Sequence, residues 1–136
     1  MPNLAAAMIA IAIILSGCNG AETPEVTDVS YQPDDITYQQ ISAEQAYEMM
    51  NELDDFILLD VRTQAEFNDT GLYGAILIPV DELQNRAESE LPDKDAVILI
   101  YCRSGQRSAI AAQMLVHMGY TNVYDFGGII NWPFEL

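Results

Sequence analysis

Positive charge is scarce in this chain. Its 136 residues hold five Lys and Arg against 21 Asp and Glu, a formal net charge of −16. No basic patch exists to neutralise phosphates, which excludes nucleic acid as a partner. The same deficit excludes electrostatic docking on anionic lipid. There is one histidine, His117, and there are two cysteines, Cys18 and Cys102. One thiol and one imidazole in the predicted domain do not make a zinc site. No apolar run reaches the length of about 20 residues that a comfortable membrane span needs. No internal repeat and no nucleotide-binding fingerprint is present, and the length allows a single domain.

What cations there are cluster. Arg103 and Arg107 lie in the stretch Tyr101-Cys102-Arg103-Ser104-Gly105-Gln106-Arg107-Ser108, and Arg62 follows a different apolar run. The apolar Ala96–Ile100 run before Cys102 reads as a buried strand. The Ala109–Met118 run after it reads as a helix. A thiol at a strand's carboxyl end is thereby followed by a tight loop and a helix N-terminus. Loop amides and the positive end of a helix dipole then point at one sulfur. Such a cysteine ionises easily, and the thiolate is the nucleophile. An acidic chain that gathers its few cations around a thiol is expected to handle a small anion there.

The N-terminal part reads as export machinery. Leu4 to Leu15 is almost wholly apolar and suits the core of a secretory signal, although Met1-Pro2-Asn3 lacks the usual Lys or Arg. Leu15-Ser16-Gly17-Cys18 resembles a bacterial lipobox, with Cys18 as the lipidated residue. An uncleaved anchor helix is the alternative, and either fixes the protein to a membrane. A lipidated Cys18 leaves Cys102 unpaired, so no internal disulfide is expected. Residues 18–36 then form a lipidated, acidic tether with Pro24 and Pro33. The expected location is the bacterial cell envelope, outside the cytoplasm.

From about Thr37 onward, short apolar strands alternate with helices. Strands are expected at Ile36–Ile41, Phe56–Val61, Gly74–Pro79, Ala96–Ile100 and Asn122–Phe126. Ser42 with Gln45 and Thr63 with Glu66 form capping boxes that open helices. The first of these helices runs to about Leu53 and the second through Phe67. Asp81 is expected to cap a helix running to about Ser89. Gly119 ends the longest helix, and Gly127-Gly128 turns into a helical stub bearing Trp132. This alternation predicts an α/β domain over residues 37–136, with a mainly parallel sheet of about five short strands flanked by helices. Sites in such folds lie at the carboxyl ends of strands, where Asp60, Arg62 and Cys102 all fall. Asp60 and Arg62 read as a buried pair supporting the loop rather than as reacting groups. His117 reads as a surface or packing residue, and Trp132 and Phe126 as core.

Four patches resemble the single-domain rhodanese family, of thiosulfate sulfurtransferase type. They are Leu58–Arg62 with Glu66-Phe67, Gly74–Pro79, Tyr101–Ser108 and Gly127–Trp132, in the family's order and spacing. With the lipobox, the chain is most similar to exported bacterial members. One departure stands out: Gly71 occupies the place of a histidine that members often carry.

The resemblance implies a mechanism. The Cys102 thiolate attacks the outer sulfur of thiosulfate or a similar donor, expels sulfite and becomes a persulfide. A thiophile such as cyanide or a thiol then removes the sulfur. Loop amides from Arg103 through Ser104, Gly105, Gln106 and Arg107 to Ser108 stabilise the sulfur anion. Arg103 and Arg107 receive the anionic donor. The domain is expected to act as a monomer, without cofactor or metal. Two rivals remain. Cysteine phosphatases and arsenate reductases use a similar loop, but one residue longer than the four residues, Arg103 to Gln106, found here. A rhodanese-like module could also carry sulfur or bind a partner without turnover.

Overall fold

The computed structural model describes residues 37–136. The proposed signal, the Cys18 lipidation site and the tether lie outside the described residues. Five strands form one sheet in the order β1-β5-β4-β2-β3, with every neighbouring pair parallel. They are β1 (Gln39–Gln40), β2 (Ile57–Asp60), β3 (Ile76–Leu77), β4 (Val97–Cys102) and β5 (Asn122–Gly128). The helices are α1 (Ala43–Glu52), α2 (Gln64–Asp69), α3 (Leu83–Glu90) and α4 (Gln106–His117), and a 3₁₀ turn covers Ile129–Asn131. Among the described residues no helix is long and apolar enough to cross a membrane.

The sheet divides the core by the two-residue period of its strands. Ile98, Ile100 and Cys102 of β4 face one side, with Leu59, Leu83, Ala87, Ala111, Ala112 and Leu115. Leu99 and Tyr101 face the other side, with Ala46, Leu58, Leu72 and Phe126. Both faces are covered, which is why these strands read as continuous apolar runs. This alternation puts the Cys102 side chain on the α4 side and the Tyr101 side chain on the opposite face.

Both capping boxes form. The Gln45 amide donates to Ser42 Oγ at 3.1 Å, and Ser42 N–H donates to Gln45 Oε1 at 2.9 Å. The Thr63 and Glu66 pair does the same at the start of α2. Gly119 ends α4 with φ +95°, a left-handed conformation that suits glycine. Trp132 and Phe126 belong to the core, with ring centroids 5.5 Å apart.

Several boundaries differ from the sequence expectations, and the third strand, expected over Gly74–Pro79, pairs only over Ile76–Leu77. The first strand pairs only over Gln39–Gln40. Asp81 does not cap α3: Glu82 occupies the cap with no side-chain bond, because a turn closed by Glu82 N–H to the Pro79 carbonyl leads the chain in. The longest helix begins at Gln106, three residues before Ala109. Arg107 and Ser108 therefore sit in the first turn of α4, and only Arg103 to Gly105 separate strand from helix. Gly105, at φ +103°, makes this abrupt reversal possible.

Candidate active site

Cys102 is the last residue of β4 and is fully buried. The Gly105 N–H donates to its Sγ at 3.0 Å, and Ser108 Oγ lies 3.6 Å from the sulfur. Burial is the largest influence on the thiol and pushes its pKa up. The Ser108 hydroxyl and the amides of Ser108, Gly105 and Ser104 together outweigh it, so the thiol ionises below its ordinary value. Ser108, itself buried, also lies within reach of the Gly105 and Gly127 carbonyls, at 3.1 and 3.4 Å. Its hydroxyl can donate to those carbonyls while the sulfur is protonated, then turn to the sulfur once it is a thiolate.

The depressed thiol pKa gives a direct test. Alkylation of Cys102 by iodoacetamide, followed by mass spectrometry, should show a pH midpoint below the ordinary cysteine value of about 8.5. Reactivity is present above the folded-state pKa and falls away as pH drops through it. A midpoint at or above the ordinary value would contradict this account.

The loop is clamped from behind by β5. Cys102 pairs with Gly128 across an irregularity in the β4–β5 ladder, and Ile130 N–H donates to the Arg103 carbonyl at 3.2 Å. A Cβ on Gly128 would stand 2.3 Å from the Arg103 carbonyl oxygen and 2.7 Å from Ser104 Cα. Backbone atoms cannot give way cheaply there. Gly128→Ala is expected to cost about 1–3 kcal/mol in urea unfolding and to move the Cys102 alkylation midpoint upward as the loop shifts. An unchanged midpoint would mean that the loop does not depend on this contact.

The other sequence-predicted residues divide. Asp60 and Arg62 form a buried pair: Arg62 is 3% exposed and Asp60 fully buried, with Nη2 to Oδ2 at 2.7 Å. Arg62 Nε lies 3.0 Å from both carboxylate oxygens, and the Arg62 N–H donates to Oδ1 at 2.9 Å. Arg62 Nη2 also donates to the Thr70 carbonyl. Its guanidinium lies 5.6 Å from the centroid of the Tyr101 ring. Tyr101, the strand partner of Asp60, uses its hydroxyl oxygen to accept from Leu72 N–H at 3.1 Å. Burial first of all raises the phenol well above its usual pKa. The pair thus braces the β2 end and the 70–72 segment beside the strand that carries Cys102. Gly71 sits at this brace: a Cβ there would meet Arg62 Nη2 at 3.5 Å and the Tyr101 hydroxyl at 3.6 Å, ordinary contacts.

Arg107 has a carboxylate partner that its local sequence does not disclose. Nη1 and Nη2 grip Glu66 Oε2 and Oε1 at 2.7 and 2.8 Å. The Arg107 hydrogen bonds, with the Thr63 amide, hold the Glu66 carboxyl well below the usual carboxylate range, against a small opposing effect of burial. Arg103 and Ser104 are exposed, as is Gln106. An open cleft of about 370 Å³ is lined by Arg62, Glu66, Asp69, Thr70, the loop residue Arg103 and the isoleucines 129 and 130. His117 is remote from it: the ring is exposed at the end of α4, with Nδ1 2.7 Å from the Gln113 carbonyl. No cluster of three or more His, Cys, Asp or Glu suited to a metal occurs among the described residues.

Comparison with known proteins agrees with this geometry. The profile of the rhodanese-like domain matches residues 42–133. The chain belongs to the rhodanese family. The thiosulfate sulfurtransferase PspE of Escherichia coli is 37% identical over 71 residues, 52% of this chain and 68% of that protein. A sulfurtransferase of Allochromatium vinosum is 37% identical over 94 residues, 68% of this chain and 86% of that one. A solved structure described as a rhodanese with anions from E. coli superposes with TM-score 0.55 at 33% identity, covering 58% of this chain and 93% of that one. In this rhodanese the residue that local sequence reading leaves out of the site is Glu66. It is visible there as half of a capping box and as part of the first family patch, with nothing to show that its carboxylate reaches Arg107.

Proposed function

We propose that the protein is a sulfurtransferase that moves a sulfane sulfur from thiosulfate or a similar donor to a thiophilic acceptor through a persulfide on Cys102. Family membership and the sulfurtransferase names of its relatives support the reaction class. The observation that carries the residue assignment is the convergence of the Gly105 amide and the Ser108 hydroxyl on one buried thiol whose pKa is lowered. The same donors that favour the thiolate suit the terminal sulfur anion of a persulfide, as an oxyanion hole suits an alkoxide. Covalent catalysis of this kind proceeds in two half-reactions, loading and discharge of the sulfur.

The chain's N-terminal residues support export and lipid attachment at Cys18, which would put the domain on a tether at the cell envelope. Labelling with a fatty-acid analogue, lost in Cys18→Ala, tests that part. The enzymatic reading is tested by thiocyanate formation from thiosulfate and cyanide, together with intact-mass detection of one added sulfur on Cys102 after exposure to donor alone. A folded protein with a reduced thiol that shows neither would refute it.

A further inference from the structure

The end of α4 away from Cys102 gathers a different set of ligand atoms. Met114, His117 and Met118 follow at i, i+3 and i+4, a spacing that puts them on one face of a helix. The helical path holds to the last of them: the Met118 N–H donates to the Met114 and Leu115 carbonyls, each at 3.0 Å. All three line one open groove of about 360 Å³, with Gln84 of α3 and Ile110 and Gln113 of α4. The two methionines are half-buried against the core, while His117 is exposed. The imidazole is already oriented. A carbonyl can only accept, so the 2.7 Å contact of Nδ1 with the Gln113 carbonyl puts the ring proton on Nδ1. Nε2 then keeps its lone pair, the arrangement in which metal-bound imidazoles are commonly held. The chain's single histidine thus stands beside two of its six methionines.

We propose that Met114, His117 and Met118 bind one soft monovalent cation, Cu(I) or its heavier congener Ag(I), through two thioether sulfurs and the imidazole Nε2. Thioethers select Cu(I), and imidazole suits copper as well. Zinc takes thiolate, imidazole and carboxylate, and among the described residues no thiol or carboxylate lines this groove. The C-terminal end of a helix favours positive charge. Lys94 also uses that end, donating to the Met118 carbonyl at 2.7 Å, but its charge is paired with Glu88. The cation keeps its oxidation state on binding, so no oxidant or reductant is needed. Ser108, which touches the Cys102 sulfur, lies in the first turn of the same helix, about 13 Å from His117 along its axis. The cation site is separate from the sulfur site and does not rest on the sulfur-transfer reading.

The test uses the full chain carrying Cys18→Ser and Cys102→Ser, so that no thiol competes for the metal. Silver(I) nitrate is titrated in chloride-free buffer and followed by NMR of the methionine methyl groups and the single imidazole. One equivalent should shift the methyls of Met114 and Met118 and the His117 ring together. The methyls of Met49 and Met50, which pack on the other face of the sheet, should stay in place. Zinc(II) at the same concentration should move none of the four. Cu(I) affinity, read by competition with bicinchoninate, should fall at least about tenfold in each of Met114→Leu, Met118→Leu and His117→Gln, since even loss of an outer partner costs about 10–100-fold. Leucine keeps the bulk of methionine, so these variants should fold; if one does not, the methyl shifts of the parent chain decide alone. Silver that shifts the His117 ring while both methyls stay, with affinity unchanged in the leucine variants, would overturn the proposal and leave an exposed imidazole that takes metal by itself. Absence of any shift at one equivalent would overturn it as well.

Discussion

Cys102→Ser is expected to abolish sulfur transfer, with turnover falling by about a thousandfold or more, as loss of a covalent nucleophile does elsewhere. The size of the effect follows from what the site contributes. Its hydrogen bonds are arranged around a soft, ionisable atom: the Gly105 amide at 3.0 Å and the Ser108 hydroxyl at 3.6 Å. A serine hydroxyl in the same place keeps its proton at neutral pH and forms no persulfide. Among the described residues no second thiol stands nearby to substitute. The exchange removes one polarizable atom and leaves the loop's backbone contacts in place, so the unfolding midpoint should move little. The check is thiocyanate formation beside Cys18→Ser, which should retain turnover because Cys18 lies outside the rhodanese domain. Residual activity in Cys102→Ser above the uncatalysed rate would remove Cys102 from the mechanism.

What the sequence discloses here tracks the range over which its signals act. Strand β4 was legible because burial on both faces makes Val97 to Cys102 uniformly apolar. The capping boxes were legible because their two partners lie three residues apart. Asp60 and Arg62, two residues apart at a strand's end, were legible as a pair for the same reason. The start of α4 was not. Gln106, Arg107 and Ser108 are polar and read as loop, while the feature that starts the helix is the left-handed turn at Gly105. Asp81 has the chemistry of a cap, but the turn from Pro79 carries the chain past it. The Glu66–Arg107 grip spans 41 residues and joins two helices, so no local pattern reports it. Gly127-Gly128 reads as a turn; that Gly128 must lack a Cβ is set by the backbone of a loop more than twenty positions earlier.

Arg62→Met is expected to destabilise the domain by about 3–5 kcal/mol, the cost of leaving one member of a buried ion pair without its partner. Both Asp60 oxygens take their hydrogen bonds from Arg62, and the carboxylate is fully buried at the end of β2, next to Tyr101 in β4. Without the guanidinium, the carboxylate loses its charged partner and keeps the backbone N–H of residue 62. Removing both charges together, as Asp60→Leu with Arg62→Met, should recover most of the stability, since a buried pair replaced by apolar groups of similar size is often neutral. That recovery separates a bracing role from a reacting one. If the pair only braces the loop, the double variant regains stability and much of its Cys102 alkylation profile together. If Arg62 acts on the donor through the cleft that it lines, stability returns while sulfur loading does not. Urea unfolding, set beside persulfidation rates of the same preparations, distinguishes the two.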